Sequence, residues 1–207
     1  MKKVIQVAVP ALLLIAMVTV YQIKPAQRKT YADILGHEAI EDILFWSERG
    51  VMSGSEGEFR PEGHVTLAEL ATVFCRVLPL EEVSTQYFAD VEEGSWYEEP
   101  VRKCVAAGII ESQGRENLYP GEELSREEAF VMMARAMNIP PKGESRRLDA
   151  YNDGKYVSDA CRGYMEALLE AELIAGGNEA QLYPTEPLTR GELCMALTKL
   201  RDGGYLP

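Results

Sequence analysis

Four cysteines (Cys75, Cys104, Cys161 and Cys194), two histidines (His37 and His64) and 33 acidic residues are the side chains of this 207-residue chain with the most obvious chemistry. The cysteine spacings are long and irregular and contain no C-x-x-C, so the sequence spells out neither a zinc site nor a redox motif. Each cysteine falls in a segment that reads as helical, where a thiol packs as a small hydrophobe. Unpaired thiols are therefore the expectation, against the disulfide framework that an even count in an exported chain would allow. No Ser/His/Asp arrangement, H-E-x-x-H helix or Gly-rich phosphate loop appears. Asn152-Asp153-Gly154 resembles the start of a calcium loop but lacks its alternating oxygen ligands and its closing Glu. The chain reads as non-catalytic, with no cofactor and no metal.

A polar pattern that recurs three times is more informative. Val65-Thr66-Leu67-Ala68-Glu69, Leu124-Ser125-Arg126-Glu127-Glu128 and Leu188-Thr189-Arg190-Gly191-Glu192 each run apolar, Ser or Thr, two residues, Glu. That is a capping box: the hydroxyl accepts the N3 amide, and Glu at N3 accepts the N-cap amide. The preceding apolar residue can staple onto N4, pairing Val65 with Leu70, Leu124 with Ala129 and Leu188 with Leu193. Behind each box the apolar residues follow i, i+3, i+4, i+7 spacing, which predicts an amphipathic helix. They are Leu70, Val73, Phe74 and Val77; then Ala129, Met132, Met133 and Ala136; then Leu193, Ala196, Leu197 and Leu200.

Upstream of each box lies a proline loop: Phe59-Arg60-Pro61, Tyr119-Pro120 after Leu118, and Tyr183-Pro184 after Leu182. The aromatic positions match only to within one residue. Further upstream an apolar pair follows a helix end, as Gly50-Val51-Met52, Gly108-Ile109-Ile110 and Glu172-Leu173-Ile174. Gly in the first two suits a left-handed C′ position. Each unit opens on aromatic-x-Asp: Tyr31-Ala32-Asp33, Phe88-Ala89-Asp90 and Tyr151-Asn152-Asp153. Pro79 and the run from Asn138 to Gly143 read as linkers. The expected architecture is all-α: three helix-loop-helix repeats over 30–84, 85–146 and 147–207, packed around a shared centre because one helix pair cannot bury its own apolar face.

Residues 1–29 differ from the rest. Lys2 and Lys3 precede an apolar run from Val4 to Val20, and Lys24, Arg28 and Lys29 follow it. This is an export signal, either cleaved or retained as a membrane anchor helix. The net charge of −12 argues against nucleic acid as a partner, since phosphate neutralisation needs clustered Lys and Arg.

The ordered set Phe88-Ala89-Asp90-Val91, Trp96, Gly108-Ile109-Ile110, Tyr119-Pro120 and Leu124-Ser125-Arg126-Glu127-Glu128 resembles the S-layer homology (SLH) family. The resemblance covers residues 31 to about 202. It implies a pseudo-threefold bundle at a bacterial cell surface that binds a pyruvylated secondary cell-wall polysaccharide in grooves between repeats. The residues it points to are Arg126, Arg190, Asp33, Asp90, Asp153 and Trp96. A guanidinium meets the carboxylate of a pyruvate ketal through two charge-assisted hydrogen bonds, and the helix N-terminus beside it favours an anion. Trp96 would stack on a sugar face. The Asp residues would either accept sugar hydroxyls or cap their own turns.

Leu67 stands where the other boxes carry Arg, and only repeat two holds Trp after its opening Asp, so repeat two is the one near-complete repeat. Two further readings stay open beside wall anchoring. One is a structural or protein-interaction scaffold, partnered by another surface protein and tethered to the membrane if the leader is retained. The other is an enzyme acting on wall polymers, for which no separate domain remains.

Overall fold

The computed structural model describes residues 30–143, 146–174 and 180–206, so the leader at 1–29 lies outside the described residues. All three capping boxes close. Thr66 Oγ1 accepts from the Glu69 amide at 3.2 Å and Glu69 Oε2 accepts from the Thr66 amide at 3.0 Å. The reciprocal pairs are 3.4 and 3.0 Å for Ser125 and Glu128, and 3.2 and 2.9 Å for Thr189 and Glu192. Each box starts the second helix of its repeat: α2 (Leu67–Val77), α4 (Arg126–Ala136) and α6 (Arg190–Asp202). The first helices are α1 (Ile40–Glu48), α3 (Glu98–Ala106) and α5 (Asp159–Glu170).

The first helices end alike. Gly50, Gly108 and Glu172 adopt φ of 71°, 69° and 58°. Val51, Ile109 and Leu173 then donate back to Trp46, Cys104 and Leu168 at 3.0, 2.9 and 3.0 Å. This is the Schellman closure that a left-handed C′ residue permits. Glu172 adopts that conformation without glycine's freedom, at a steric cost of about 1 kcal/mol. The turn delivers the apolar pair, Val51 and Met52, Ile109 and Ile110, or Leu173 and Ile174, into the core.

The repeats join in a ring. Helix α2 packs on α3, α4 on α5, and α6 returns to α1, so the second helix of each repeat covers the first helix of the next. The Nε1 of Trp46 in α1 donates to the Cys194 carbonyl and Thr198 Oγ1 of α6, at 3.1 and 3.0 Å. At the centre three residues preceding the N-caps bond cyclically. Val65 N–H donates to Leu188 O, Leu188 N–H to Leu124 O and Leu124 N–H to Val65 O, each at 2.9 Å. The axis of the pseudo-threefold bundle runs through this triangle.

The first two amides of each second helix, orphaned within their own helix, are satisfied by the next repeat's proline loop. Leu67 and Ala68 donate to Glu122 and Pro120, Arg126 and Glu127 to Glu186 and Pro184, and Arg190 and Gly191 to Gly63 and Pro61. Around this frame the core includes Ile43, Phe59, Leu70, Phe74, Phe88, Ile109, Leu118, Met133, Met165, Leu168 and Leu182, all fully buried. Met132 and Met133 are core residues, as their helical spacing predicts.

Candidate functional site

The three opening Asp residues make one identical contact. Asp33 accepts from the amides of Phe59 and Arg60 at 2.9 and 2.6 Å. Asp90 accepts from Leu118 at 2.9 and 3.1 Å and from Tyr119 at 2.6 Å. Asp153 accepts from Leu182 at 2.9 and 3.1 Å and from Tyr183 at 2.8 Å. The second residue of each pair is left-handed, with φ of 59°, 59° and 51° for Arg60, Tyr119 and Tyr183. The carboxylate thus clamps a strained turn before proline, a cost of about 1–3 kcal/mol that the fold must over-determine. These bonds also set the register: Phe59 corresponds to Leu118 and Leu182, all buried, and Arg60 to Tyr119 and Tyr183. At Asp33 desolvation pushes the carboxyl up, but the Phe59 and Arg60 amides, with its own amide and the Arg190 charge, hold it below its ordinary value.

The motif arginines reach across repeat boundaries. Arg126 Nε donates to Leu182 O at 2.8 Å, its Nη1 pairs with Glu192, and its guanidinium lies 5.3 Å from the Phe130 ring. Arg126 is only 5% exposed. Arg190 repeats the geometry one interface on. Its Nε donates to Phe59 O at 3.1 Å, Nη2 donates to Ser53 O at 2.9 Å, and Nη1 lies 3.6 Å from Glu69. Each Arg therefore holds the carbonyl of the residue whose amide the next repeat's Asp holds. In the third interface Leu67 takes the place of Arg and is buried. Glu128, the counterpart of Glu69 and Glu192, instead accepts from the Ser125 hydroxyl at 2.6 Å.

Two clefts follow from this arrangement. The first, about 170 Å³, lies where repeats three, one and two meet and is lined by Arg190, Val51, Ser53, Glu69, Arg76 and Trp96 among others. Trp96 is 62% exposed, in edge contact with Tyr97 at 5.4 Å between ring centroids. The second cleft, about 340 Å³, is the counterpart one interface on, with Leu67 in place of Arg190, Arg135 in place of Arg76 and Ala160 in place of Trp96. Thus the structure brings Arg190 and Trp96 together and sets Arg126 apart from both. Arg76 escaped the sequence reading. Its Nη1 donates to Val51 O at 2.8 Å. The signal for it was present, since Arg76, Arg135 and Lys199 occupy matching places in the three second helices.

The histidines serve the frame. His37 Nδ1 accepts from the Ala39 amide at 3.0 Å and Nε2 meets Glu62 at 3.1 Å, while His64 meets Glu123 at 2.8 Å. Among the described residues no group of three or more His, Cys, Asp or Glu is placed to hold a metal ion.

The family model for the S-layer homology domain matches residues 30–71, 87–130 and 150–194, one match per structural repeat. The chain belongs to the S-layer homology domain family. Its SLH repeats are similar to part of the surface-layer 125 kDa protein of Lysinibacillus sphaericus, 27% identical over 192 residues, covering 90% of this chain and 16% of that protein. They are also similar to parts of the amylopullulanase of Thermoanaerobacterium thermosulfurigenes (29% identical; 79% of this chain, 9% of that one) and exoglucanase XynX of Acetivibrio thermocellus (29%; 79% and 15%). The chain therefore spans about a sixth or less of the length of these relatives.

Leu67 offers a direct test of the SLH interface geometry. Leu67→Arg should place a guanidinium against Leu118 O and Glu128, as Arg126 and Arg190 are placed against their own partners, and raise stability by about 1 kcal/mol. Thermal unfolding of the variant should show a higher midpoint; a lower one would mean that the second cleft cannot host the arginine geometry.

Proposed function

We propose that this chain is a non-catalytic attachment module that binds an acidic, pyruvylated secondary cell-wall polysaccharide and so holds itself or a partner surface protein at the bacterial cell wall. The observation that carries this reading is the cleft uniting Arg190, Arg76 and the exposed face of Trp96. Arg190 at the start of α6 and Arg76 in the last turn of α2 bring two guanidinium groups suited to a carboxylate, and an exposed indole gives a sugar ring an apolar face. Only one such cleft combines these groups among the described residues. Arg126, 5% exposed, lines neither of the two clefts, so its contribution is to the frame. Recurrence of the array in relatives named for surface layers and for polysaccharide cleavage supports attachment as the shared task. The reading requires export, which Lys2-Lys3 and the apolar run to Val20 would supply. Among the described residues no helix is long and apolar enough to cross a membrane.

Co-sedimentation with purified wall sacculi tests it. Arg190→Ala should weaken binding about tenfold or more, as expected for loss of a charge-assisted bond. Arg190→Lys should recover only part, because the two-pronged geometry is lost. Trp96→Ala, at an exposed position, should weaken binding without lowering the unfolding midpoint. Added salt should weaken the wild type, and walls stripped of secondary polymer should not retain it. A folded Arg190→Ala/Trp96→Ala protein that sediments as well as the wild type would replace this reading with that of a protein-binding scaffold.

A further inference from the structure

Two thiols that no part of the proposed function uses stand at the interface of repeats one and two. Cys75 lies in α2 and Cys104 in α3. Their chain positions are far apart, but the threefold arrangement shows that they face each other. The position of Cys104 corresponds to Trp46, and that of Cys75 to Thr198. In the equivalent interface Trp46 Nε1 touches both the Cys194 carbonyl and Thr198 Oγ1, at 3.1 and 3.0 Å. Cys104 repeats the first contact, with Sγ 3.7 Å from the Ala71 carbonyl, the counterpart of Cys194 O. Cys75 Sγ answers from the other side, 3.8 Å from the carbonyl of Pro100. Each thiol thus sits beside the carbonyl one helical turn before the other cysteine. The small residues Ala71 and Cys75, set against Pro100 and Cys104, let the two helices approach closely.

We propose that Cys75 and Cys104 form a dithiol that oxidises to a disulfide joining repeat one to repeat two. Cys75 is half-buried and Cys104 fully buried, which assigns the order of events. A disulfide oxidant such as oxidised glutathione meets Cys75 first. The Cys75 thiolate attacks one sulfur of the oxidant and expels one thiolate, leaving a mixed disulfide. The sulfur of Cys104 then attacks the Cys75 sulfur, gives up its proton to solvent and expels the second thiolate. Two protein thiols lose two electrons in total and the oxidant's disulfide gains them.

The local environment favours the same order. A hydrogen bond from Cys104 draws the Cys75 thiol below its ordinary pKa against the opposing effect of burial, and the Lys103 charge adds to the lowering. The Cys104 thiol is pushed up by that same hydrogen bond and by burial. The remaining cysteines are kept out of the chemistry. Burial pushes the Cys161 thiol up, and Cys194, packed 3.5 Å from Met52 Sδ, is pushed up to about 12 by its burial.

The test treats the folded chain with oxidised glutathione, quenches it in acid, alkylates it in denaturant and maps the unreduced peptides by mass spectrometry. The expected product is a peptide pair linked through Cys75 and Cys104, with titratable thiols falling from the four of the sequence to two. Cys104→Ser should stall with glutathione retained on Cys75, whereas Cys75→Ser should leave Cys104 unmodified. Recovery of all four cysteines alkylated, a link to Cys161 or Cys194, or a stable glutathione adduct on wild-type Cys75 would each overturn the proposal. The readout in the unsubstituted chain stands even if a variant fails to fold, and none of these outcomes depends on polysaccharide binding.

Discussion

Replacing Arg126 with alanine should destabilise the fold by about 3 kcal/mol, the lower end of the range for breaking a buried ion pair, because the Glu192 left behind is partly open to solvent. Arg126 is 5% exposed, and its guanidinium is shared between Leu182 O, Glu192 and the Phe130 ring. Alanine would leave the Leu182 carbonyl without this donor and Glu192 without its cation, and would open a void between repeats two and three. Glu192 Oε2 would still accept from the Thr189 amide, so the cap of α6 should survive. Arg126→Met should cost less, because its stem fills the same space and repeat one already places an apolar residue, Leu67, at this position. Urea unfolding at unchanged slope gives the difference directly. A loss under about 1 kcal/mol for alanine would mean that the pair barely offsets its own desolvation.

Asp153→Ala should cost about 3 kcal/mol, since it strands the amides of Leu182 and Tyr183 and releases the left-handed turn at Tyr183. Its effect should also be coupled to that of Arg126. Asp153 grips the N–H of Leu182 while Arg126 grips its C=O, so either loss loosens the residue that the other holds. A double-mutant cycle should show the combined change falling short of the sum by about 0.5–3 kcal/mol. Strict additivity would show that the two grips act on Leu182 independently.

Much of this architecture is written locally in the chain. Capping boxes involve residues three apart, Schellman turns residues five apart, and helix faces recur every turn, so Thr66, Ser125, Thr189, Gly50 and Gly108 announce their roles without tertiary knowledge. The third turn, at Glu172, carries no glycine signal because tertiary packing imposes the conformation. The site was less legible because it is not local. Repeat two comes nearest to the full motif set, yet its Trp96 faces Arg190 of repeat three, while its Arg126 points to Leu182. A complete repeat is therefore not a complete cleft: each cleft draws on three repeats. The offset at Phe59 has a related cause. Aromatic identity suggested one alignment, whereas the Asp33 bonds place Phe59 with Leu118 and Leu182. The spacing of Cys75 and Cys104 likewise hid an adjacency that only the ring of helices creates.

The triangle of Val65, Leu124 and Leu188 makes the bundle a closed loop with no terminal unit. An open stack of repeats can grow or shrink by one and needs capping units at its ends. Here the closing contacts join Trp46 to Cys194 and Thr198, sequence separations of 148 and 152 residues. The entropy of closing so long a loop must be met before those contacts return anything. The third repeat, made after the other two, is therefore also the one that completes the first, and cooperative stability is reached only when all three are present.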